Sequence, residues 1–217
     1  MKVLVIDVGG TAIKLLATGH RNPLKIPSGP TLTPRRMVKL VRRAASDWEY
    51  DAVSIGYPGP VRNGKPVKEP KNLGRGWVRF DFKKAFGCPV KVINDAAMQA
   101  LGSYRGGRML FLGLGTGLGT ALIVEHVIVP MELAHLPFKK GRTYEEYLGK
   151  AAFKRTGKRK WRRRVAEVTK RLRDAMDVDD VVLGGGQVKH LRRLPPGARA
   201  GSNRLAFVGG RRLWRKS

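Results

Sequence analysis

The sequence predicts an α/β protein, because short strands rich in β-branched residues alternate along the chain with segments of helical periodicity. Residues 2–17 read as a strand, a glycine–threonine turn and a second strand, and the same pattern returns at residues 109–124. An internal repeat of this kind indicates a candidate duplicated lobe. We therefore expect two lobes, residues 1–105 and residues 106–217.

The first lobe continues with elements in an alternating order. A helix is predicted from about Pro34 to Trp48, because its apolar residues recur on one face and Pro34 suits a first helical turn. A buried strand is predicted at residues 51–61, where it runs into a Pro/Gly loop. Another strand at residues 90–95 leads into a short helix at residues 96–104.

The second lobe follows a similar plan. Two helical stretches come after residue 124, and the second has an apolar face that includes Trp161 and Leu172. A last strand, residues 181–187, enters a glycine turn. The basic C-terminal tail contains an apolar segment at residues 205–208 that we expect to be packed. This tail is a candidate to pack back on the first lobe.

Composition points to a basic globular protein. Lys and Arg number 44 against 16 Asp and Glu, which gives a net charge of +28. Such a surface concentrates polyanions, but charge alone distinguishes neither phosphate polymers from nucleic acid nor either from a generally basic protein. A single cysteine excludes an internal disulfide and a Cys-rich zinc site. With no apolar segment long enough to cross a bilayer, we expect a soluble protein in a reducing compartment.

The two glycine–threonine turns predict a phosphate site. Glycines let backbone N–H groups approach phosphate oxygens, and a threonine hydroxyl adds a donor. Asp7 ends the strand before the first turn, where its carboxylate can hold a hydrated Mg²⁺. One turn alone is explained by a tight hairpin, so the prediction rests on the set: Gly9, Gly10 and Thr11; Gly115, Thr116 and Gly117; and the cluster Gly184, Gly185 and Gly186.

Other phosphate and nucleotide motifs fit less well. The Gly-Lys-Ser/Thr spacing of a P-loop is absent. Residues 113–119 have enough glycines for a dinucleotide fingerprint, but an apolar strand follows them where that fingerprint needs a helix. A Rossmann fold is therefore not expected.

Two polar pairs admit a structural and a functional interpretation. Asn94 and Asp95 stand where a strand ends and a helix begins, so they suit a helix N-cap. A carboxylate there also suits a kinase base, which takes the proton from an attacking hydroxyl. Glu132 and His135 are three residues apart and form either a local surface pair or a set of groups that bind sugar hydroxyls. The four histidines lack the spaced partners of a zinc site.

Seven short motifs occur in order along the chain: Asp7-Val-Gly-Gly-Thr-Ala-Ile-Lys14, Gly56-Tyr-Pro-Gly59, Asn72-Leu73, Asn94-Asp95, residues 114–120, Glu132-Leu-Ala-His-Leu136 and Gly184-Gly-Gly186. Taken in this order, they resemble the motifs of the ROK family of sugar kinases. The resemblance covers nearly the whole chain, and further stretches at residues 141–149, 161–163 and 207–210 resemble its polyphosphate glucokinase branch.

The resemblance implies an actin-like, ribonuclease H-like fold of two lobes with a sugar cleft between them. It implies a cytoplasmic, homodimeric enzyme that phosphorylates the 6-hydroxyl of glucose or a similar hexose. Asp95 would be the general base, and Asp7 would hold Mg²⁺ through water. The sugar would be bound by Asn72, Asn94, Asp95, Glu132 and His135. The phosphoryl donor would be bound by Asp7, Gly9, Gly10, Thr11, Lys14, Gly115, Thr116, Gly117, Gly184, Gly185 and Gly186.

The sequence also departs from the family pattern. Ala134 stands where the family usually has glycine, between the two presumed sugar ligands. Glu125 and His126 replace the usual Asp-Gly at a hairpin tip, where they make a poorer primed turn. The zinc-binding cysteines of the wider family are missing.

The identity of the phosphoryl donor is the open question. Residues 139–164 contain twelve Lys or Arg and only two acids, Glu145 and Glu146, which favours inorganic polyphosphate without excluding ATP. The alternatives are an ATP-dependent glucokinase and a non-catalytic relative that binds polyanions or nucleic acid. Repressors of the family carry an N-terminal helix-turn-helix, and here the first strand begins at residue 2. We therefore expect no sequence-specific nucleic-acid binding.

Overall fold

The computed structural model describes residues 1–215 and divides into two compact units. The first comprises Met1–Met98 and the C-terminal segment from Ala206, and the second comprises Gln99–Leu205. The sequence placed the border near residue 105, whereas this division lies between Met98 and Gln99. No helix among the described residues is long and apolar enough to span a membrane.

The elements of residues 1–103 are β1 Val3–Val8, β2 Ala12–Ala17, β3 Leu24–Pro27, α1 Pro34–Ala44, β4 Ala52–Tyr57, β5 Val61–Arg62, β6 Lys65–Pro66, α2 Phe82–Phe86, β7 Val90–Asn94 and α3 Asp95–Ser103. The first unit is built on a five-stranded sheet with the order β3-β2-β1-β4-β7. β1 is antiparallel to β2 and parallel to β4, and β4 is parallel to β7. Helices α1 and α2 and the first residues of α3 accompany these strands, and β5 and β6 form a separate small hairpin.

Helix α1 starts where the sequence predicts and ends earlier. The Thr33 side chain accepts a hydrogen bond from the Arg36 N–H and caps the helix, with Pro34 in the first turn. The helix ends at Ala44, four residues before the predicted end at Trp48. Its apolar face packs on one side of the sheet in a core shared with β1, β2, β4 and α2. The exposed face is therefore left to its basic residues.

The second unit repeats the strand plan of the first. Its elements are β8 Arg108–Leu114, β9 Leu118–Val124, β10 Val127–Met131, β11 Pro137–Lys139, β12 Arg142–Thr143, α4 Tyr144–Leu148, α5 Lys150–Met176, β13 Asp180–Gly184 and β14 Ala198–Ala200. The sheet has the order β10-β9-β8-β13-β14, in which β8 is antiparallel to β9 and parallel to β13. The predicted duplication is thus confirmed as two sheets of the same topology.

Helix α5 supplies much of the core of the second unit. Trp161 is fully buried, and its indole N–H donates to the Leu148 carbonyl at 2.8 Å. Val165, Val168 and Leu172 continue the same apolar face against the sheet. Gly157 interrupts the helix with a φ of 75°, so its first two turns form a separate segment.

The last helix, α6 (Leu205–Arg212), packs against the sheet of the first unit. Phe207 is buried with Val3 and Val5 of β1. The Ser54 hydroxyl donates to the Gly210 carbonyl at 2.6 Å and accepts from the Trp214 indole at 2.8 Å. These contacts place the apolar segment of the basic tail in a core, as its composition predicts.

The β9–β10 hairpin has the strained tip that its sequence predicts. Glu125 and His126 both have positive φ, 46° and 69°. A two-residue primed turn requires this backbone, which Asn and Gly adopt at lower cost. The His126 ring packs edge-on against Tyr104 at 5.2 Å, and the backbone N–H of His126 donates to the Tyr104 hydroxyl. These two contacts offset part of the strain.

Candidate functional site

The β1–β2 turn is a closely packed backbone loop. The Gly9 N–H donates to the Ala12 carbonyl at 3.1 Å, and a Cβ on Gly9 would lie only 2.8 Å from that oxygen. Ser28 supports the turn from β3's side, with its hydroxyl donating to the Gly9 carbonyl at 2.6 Å and its N–H donating to the Thr11 carbonyl. Thr11 itself is exposed. The turn is thus held from behind, with its threonine facing solvent.

Asp7 and Lys14 form a cross-strand pair at the base of this turn. They are register partners on β1 and β2, and the Lys14 ammonium lies 2.9 Å from the Asp7 carboxylate. The Asp7 side chain is 7% exposed and that of Lys14 is 35% exposed. A cation and an anion therefore stand together at the end of β1, where the sequence predicts contacts to phosphate and metal.

Asn72 lies beside the same turn. A Cβ added to Gly10 would come within 3.1 Å of the Asn72 Cβ, so the two residues are in close contact and a larger residue at position 10 would displace Asn72. Asn72 is exposed, while the adjacent Leu73 is buried and anchors the segment. The structure thus brings Asn72, a predicted sugar ligand, next to a predicted donor-binding glycine.

Asn94 is the N-cap of α3. Its side-chain oxygen accepts from the Ala97 N–H at 3.1 Å, and its amide N–H donates to the Gly59 carbonyl, also at 3.1 Å. The side chain therefore joins the Pro/Gly loop to the start of the helix. The capping interpretation is confirmed for Asn94, and its proposed contact with a sugar has to share an amide that already makes these two bonds.

Asp95 is the first residue of α3 and is half-buried. One carboxylate oxygen accepts from the N–H of the next residue, Ala96, at 2.8 Å. This bond fixes the orientation of the carboxylate at the start of the helix. Gly56 leaves the space that the Met98 side chain of the same helix fills, and an added Cβ there would be in ordinary contact with the Asp95 Cα.

The sheet of the first unit brings Asp7 and Asp95 to one edge. Asp7 pairs with Gly56 of β4, and Gly56 pairs with Ile93 of β7. With strands about 4.8 Å apart, the Asp7 position lies roughly 10 Å from that of Ile93, two residues before Asp95. Because the three strands are parallel, both carboxylates stand at the carboxyl edge, where α/β proteins bind their ligands.

The turn between β8 and β9 is covered by the start of α5. The Gly115 N–H donates to the Gly117 carbonyl at 3.1 Å, and the Lys150 N–H donates to the carbonyls of both Gly115 and Thr116. Gly149 has no room for a side chain, since a Cβ would lie 2.8 Å from the Thr116 oxygen. The loop predicted to bind the phosphoryl donor is therefore hydrogen-bonded to the first residue of a basic helix.

Helix α4 supports the same turn with a carboxylate. Glu145 accepts from the Leu118 N–H at 3.3 Å and occupies the space beside Gly117. At the start of α4, Thr143 and Glu146 form a capping box. The hydrogen bonds from Thr143 lower the pKa of the Glu146 carboxyl below its ordinary value. The only two acids in the basic stretch thus stabilise the backbone around the turn.

The third glycine cluster follows β13 and packs against the second turn. Gly185 has a φ of 86° and lies against the backbone of Leu114, so a side chain there would clash. The Leu114 carbonyl accepts from the Gln187 N–H at 3.0 Å. Gly184 is enclosed by Phe111, whereas the space around Gly186 is open. The predicted set Gly115–Gly117 and Gly184–Gly186 is therefore brought together at one end of the second sheet.

Glu132 immediately precedes a short 3₁₀ turn, Leu133–His135, and contacts His135 at the end of that turn. The His135 Nε2 is 3.3 Å from a Glu132 carboxylate oxygen, and the side chains are 57% and 55% exposed. Between them, Ala134 is 2% exposed and belongs to the core of the second unit. Its methyl group is thus accommodated inward, and it does not occupy the exposed face with its two neighbours.

Thr120, which the sequence analysis left without a role, anchors this turn. Its hydroxyl donates to the Met131 carbonyl at 2.6 Å and accepts from the Leu133 N–H at 3.2 Å. Thr120 is 2% exposed, so its hydroxyl is shielded from water and pairs with these two backbone groups. A role for Thr120 could have been predicted from its position as the last threonine of the repeated glycine–threonine motif. Ser28 and Glu145 offered no comparable one.

Replacing Thr120 by Val is expected to destabilise the second unit by about 1–3 kcal/mol, because the Met131 carbonyl and the Leu133 N–H lose their hydrogen bonds to a buried hydroxyl. Thr120→Ser keeps the hydroxyl and is expected to retain most of the stability. Urea unfolding of the two variants and the wild type measures the difference. Equal stability of the Val and Ser variants would show that the hydroxyl does not anchor the turn.

Solved structures of known proteins share this architecture. A solved inorganic polyphosphate/ATP-glucomannokinase from Arthrobacter sp. strain KM superposes with a TM-score of 0.81 over 96% of each chain, at 23% identity. A ROK family glucokinase from Streptomyces griseus, solved with glucose and AMPPNP, gives a TM-score of 0.79 over 98% of this chain and 99% of that chain, at 19% identity. The fold is the actin-like ATPase fold, as the sequence resemblance implied.

The family follows from sequence. The profile described as "ROK family" matches residues 3–129, more than half of the chain. The chain therefore belongs to the ROK family. A polyphosphate glucokinase of Mycobacterium tuberculosis is 26% identical over 203 aligned residues, covering 83% of this chain and 76% of that protein. The chain is thus a glucokinase-like member of its family.

Proposed function

We propose that this protein is a sugar kinase that transfers a phosphoryl group to the 6-hydroxyl of glucose or a similar hexose, with inorganic polyphosphate as the donor. The observation that carries the proposal is the carboxyl edge of the first sheet. There a glycine–threonine turn, the Asp7–Lys14 pair and Asp95 lie at the same edge of one sheet. Membership of the ROK family supports the same reaction class.

Asp95 would act as the general base. A sugar hydroxyl becomes a good nucleophile when a base accepts its proton as the bond to phosphorus forms. The Ala96 N–H holds one oxygen of the carboxylate, which fixes the direction of the group. Asn72, Asn94, Glu132 and His135 would bind the remaining sugar hydroxyls and so orient the sugar for in-line attack.

The donor phosphates would be bound by backbone N–H groups of the glycine–threonine turns and by Lys14. Lys14 also balances the Asp7 charge, so the pair can accept a phosphate without leaving a buried carboxylate unpaired. Fixed donors of this kind stabilise charge that develops on the transferred group.

The Asp7 site fits a hydrated Mg²⁺. Among residues 1–215 no group of three or more His, Cys, Asp or Glu is arranged to hold a metal, so a cage of protein ligands is not available. Mg²⁺ commonly keeps several waters and uses one or two carboxylates together with substrate phosphates. Asp7 would supply one such carboxylate, through water. The ion, when bound, neutralises phosphate charge.

The cations of α5, a helix that begins beside the β8–β9 turn, favour polyphosphate as the donor. Lys150 starts α5 at the Gly115–Thr116 carbonyls, and the helix then presents further exposed cations. Five of these exposed cations are Lys150, Lys154, Lys158, Arg159 and Lys160. None of the five forms an ion pair with a carboxylate among residues 1–215. A linear polyanion can contact such a row, whereas a nucleotide is too compact to use all of it.

Three other cations of the same basic stretch have structural partners. Lys139 pairs with Glu167 at 2.6 Å, Arg155 donates to the Glu146 carbonyl at 2.9 Å, and Arg164 stacks 4.5 Å over the Tyr147 ring. These contacts stabilise the second unit. The surface proposed to bind polyphosphate therefore consists of the five exposed cations between residues 150 and 160 that have no ion-pair partner among residues 1–215. It is smaller than the run of twelve cations in the sequence.

Alanine at Glu132 or at His135 is expected to raise the sugar KM about tenfold and the donor KM little, because buried sugar hydroxyls would lose a partner. Both side chains are about half-exposed and pair with each other, so folding is preserved. Glu49→Ala, at an exposed carboxylate, is the matched control. A rise in the donor KM alone would mean that the pair does not bind the sugar.

ATP remains the alternative donor, and the glucokinase of Streptomyces griseus, solved with AMPPNP, is the observation that favours it. A coupled assay for glucose 6-phosphate, run in parallel with polyphosphate and with ATP, separates the two. The remaining expectations from the family, a homodimer and a cytoplasmic location, are part of the same proposal.

A further inference from the structure

A basic groove lies on the first unit between α1 and α2, away from the residues assigned above. Its volume is about 570 Å³, and its lining combines cations with an apolar floor. The cations are Arg35, Lys39, Arg42 and Lys84, and the floor is formed by Val38, Phe80 and Ala85. None of these residues has a part in the proposed kinase site.

The charge of the groove is poorly compensated. Helix α1 has five basic residues and no acid along its eleven residues. Arg42 makes a single long hydrogen bond, 3.4 Å, to the Ala85 carbonyl. The one acid in the lining, Asp81, accepts from the Lys84 N–H at 2.9 Å and caps α2. The groove therefore attracts anions.

The cations follow the helix at regular intervals. Arg35, Lys39 and Arg42 are separated by four and three residues, so they share one face of α1. At a rise of 1.5 Å per residue they extend over roughly 10 Å. This length suits an extended chain with more than one negative charge, and exceeds what a single phosphate requires.

Aromatic side chains accompany the cations. Phe80 is half-buried in the floor of the groove and packs edge-on against Phe82 at 4.9 Å. Arg42 also lines a second depression of about 830 Å³, whose lining includes the half-buried Trp48 and Tyr50. The acids there, Glu49 and Asp51, are both hydrogen-bonded to Lys2. The second depression therefore adds aromatic faces and little net charge.

We propose that this groove, with the adjoining depression, binds single-stranded nucleic acid without sequence specificity. Proteins that do so combine a cationic groove along the phosphate backbone with aromatic rings on which bases stack. Inorganic polyphosphate has charges but no faces to stack on Phe80 or Tyr50. A duplex keeps its bases stacked inside and would leave the same aromatic floor unused.

The test uses fluorescence anisotropy of a labelled oligothymidylate with the full-length protein. Neutralising three groove cations, Arg35→Gln, Lys39→Gln and Arg42→Gln, is expected to reduce the slope of log K against log salt by about 2, because roughly 0.7 is lost for each phosphate contact. The matched control neutralises three exposed cations of the same unit outside the groove, by Arg62→Gln, Lys65→Gln and Lys68→Gln. An equal loss in both variants overturns the proposal, since binding would then follow total charge.

Two further arms separate nucleic acid from other polyanions. Phe80→Leu keeps the apolar contact with Phe82 but removes the ring, and is expected to weaken oligothymidylate binding about tenfold. Unlabelled duplex, inorganic polyphosphate and polyglutamate, matched for charge, are expected to compete poorly. An unchanged affinity in Phe80→Leu, or equal competition by any of these polymers, overturns the assignment to a single strand. The outcome does not depend on sugar kinase activity.

Discussion

Asp95→Asn is expected to fold, to bind the sugar and to lose about 10²–10⁴-fold in turnover, since that is the usual contribution of a positioned general base. Asn keeps a carbonyl oxygen that can accept from the Ala96 N–H, so the start of α3 retains its hydrogen bond. It cannot accept the proton of the attacking hydroxyl. The structural and chemical roles of position 95 are thereby separated in one variant.

Two measurements check this prediction. The coupled assay gives kcat, and calorimetric titration with glucose gives the sugar Kd, which is expected to change only a few-fold. Asp47→Asn, at an exposed acid far along the chain from the proposed site residues, is the control for loss of one negative charge. Activity of Asp95→Asn within about tenfold of the wild type would remove Asp95 from the role of base.

Reversing three cations of α5 is expected to abolish most polyphosphate use and to spare any ATP activity. The variant Lys154→Glu, Arg159→Glu and Lys160→Glu changes exposed residues that have no ion-pair partner among residues 1–215. The kcat/KM for long polyphosphate should fall by more than tenfold and lose its dependence on chain length, because a long polymer gains by contacting several cations. A compact nucleotide contacts fewer of them.

The groove variant Arg35→Glu, Lys39→Glu and Arg42→Glu is the control for this experiment, with the same change in net charge. It is expected to retain the polyphosphate kcat/KM. Salt gives an independent reading, because the polyphosphate KM should rise more steeply with salt than the ATP KM. Equal losses in both variants, with no dependence on chain length, would mean that the +28 charge is a general property of the surface.

Much of the fold could be predicted from local patterns. The strand–turn–strand repeat predicted two related sheets, and β1–β2 and β8–β9 have this arrangement. Periodicity predicted α1 and the apolar face of α5, although it gave no sign that α1 ends at Ala44. Helix ends depend on capping contacts and on tertiary packing, which periodicity does not contain.

The residues of the candidate site could be predicted from the sequence, whereas most of the residues that hold them in place could not. Asp7, Asp95 and the glycine turns follow motif spacing, whereas Thr120, Ser28 and Glu145 act through contacts between segments far apart in the chain. Pairings of that kind are set by sheet register. The same limit applied to the basic stretch. Only the structure shows that Arg155 donates to a backbone carbonyl, whereas its neighbours Lys154 and Lys158 have no ion-pair partner among residues 1–215.

The most direct test of the central proposal is the coupled assay on the purified wild-type protein, with glucose, Mg²⁺ and either polyphosphate or ATP. We expect glucose 6-phosphate to form with polyphosphate, at a higher kcat/KM than with ATP. Formation with ATP alone would contradict the assignment of the donor. No glucose 6-phosphate with either donor, from protein that is folded and binds glucose, would contradict the assignment of this chain as a glucose kinase.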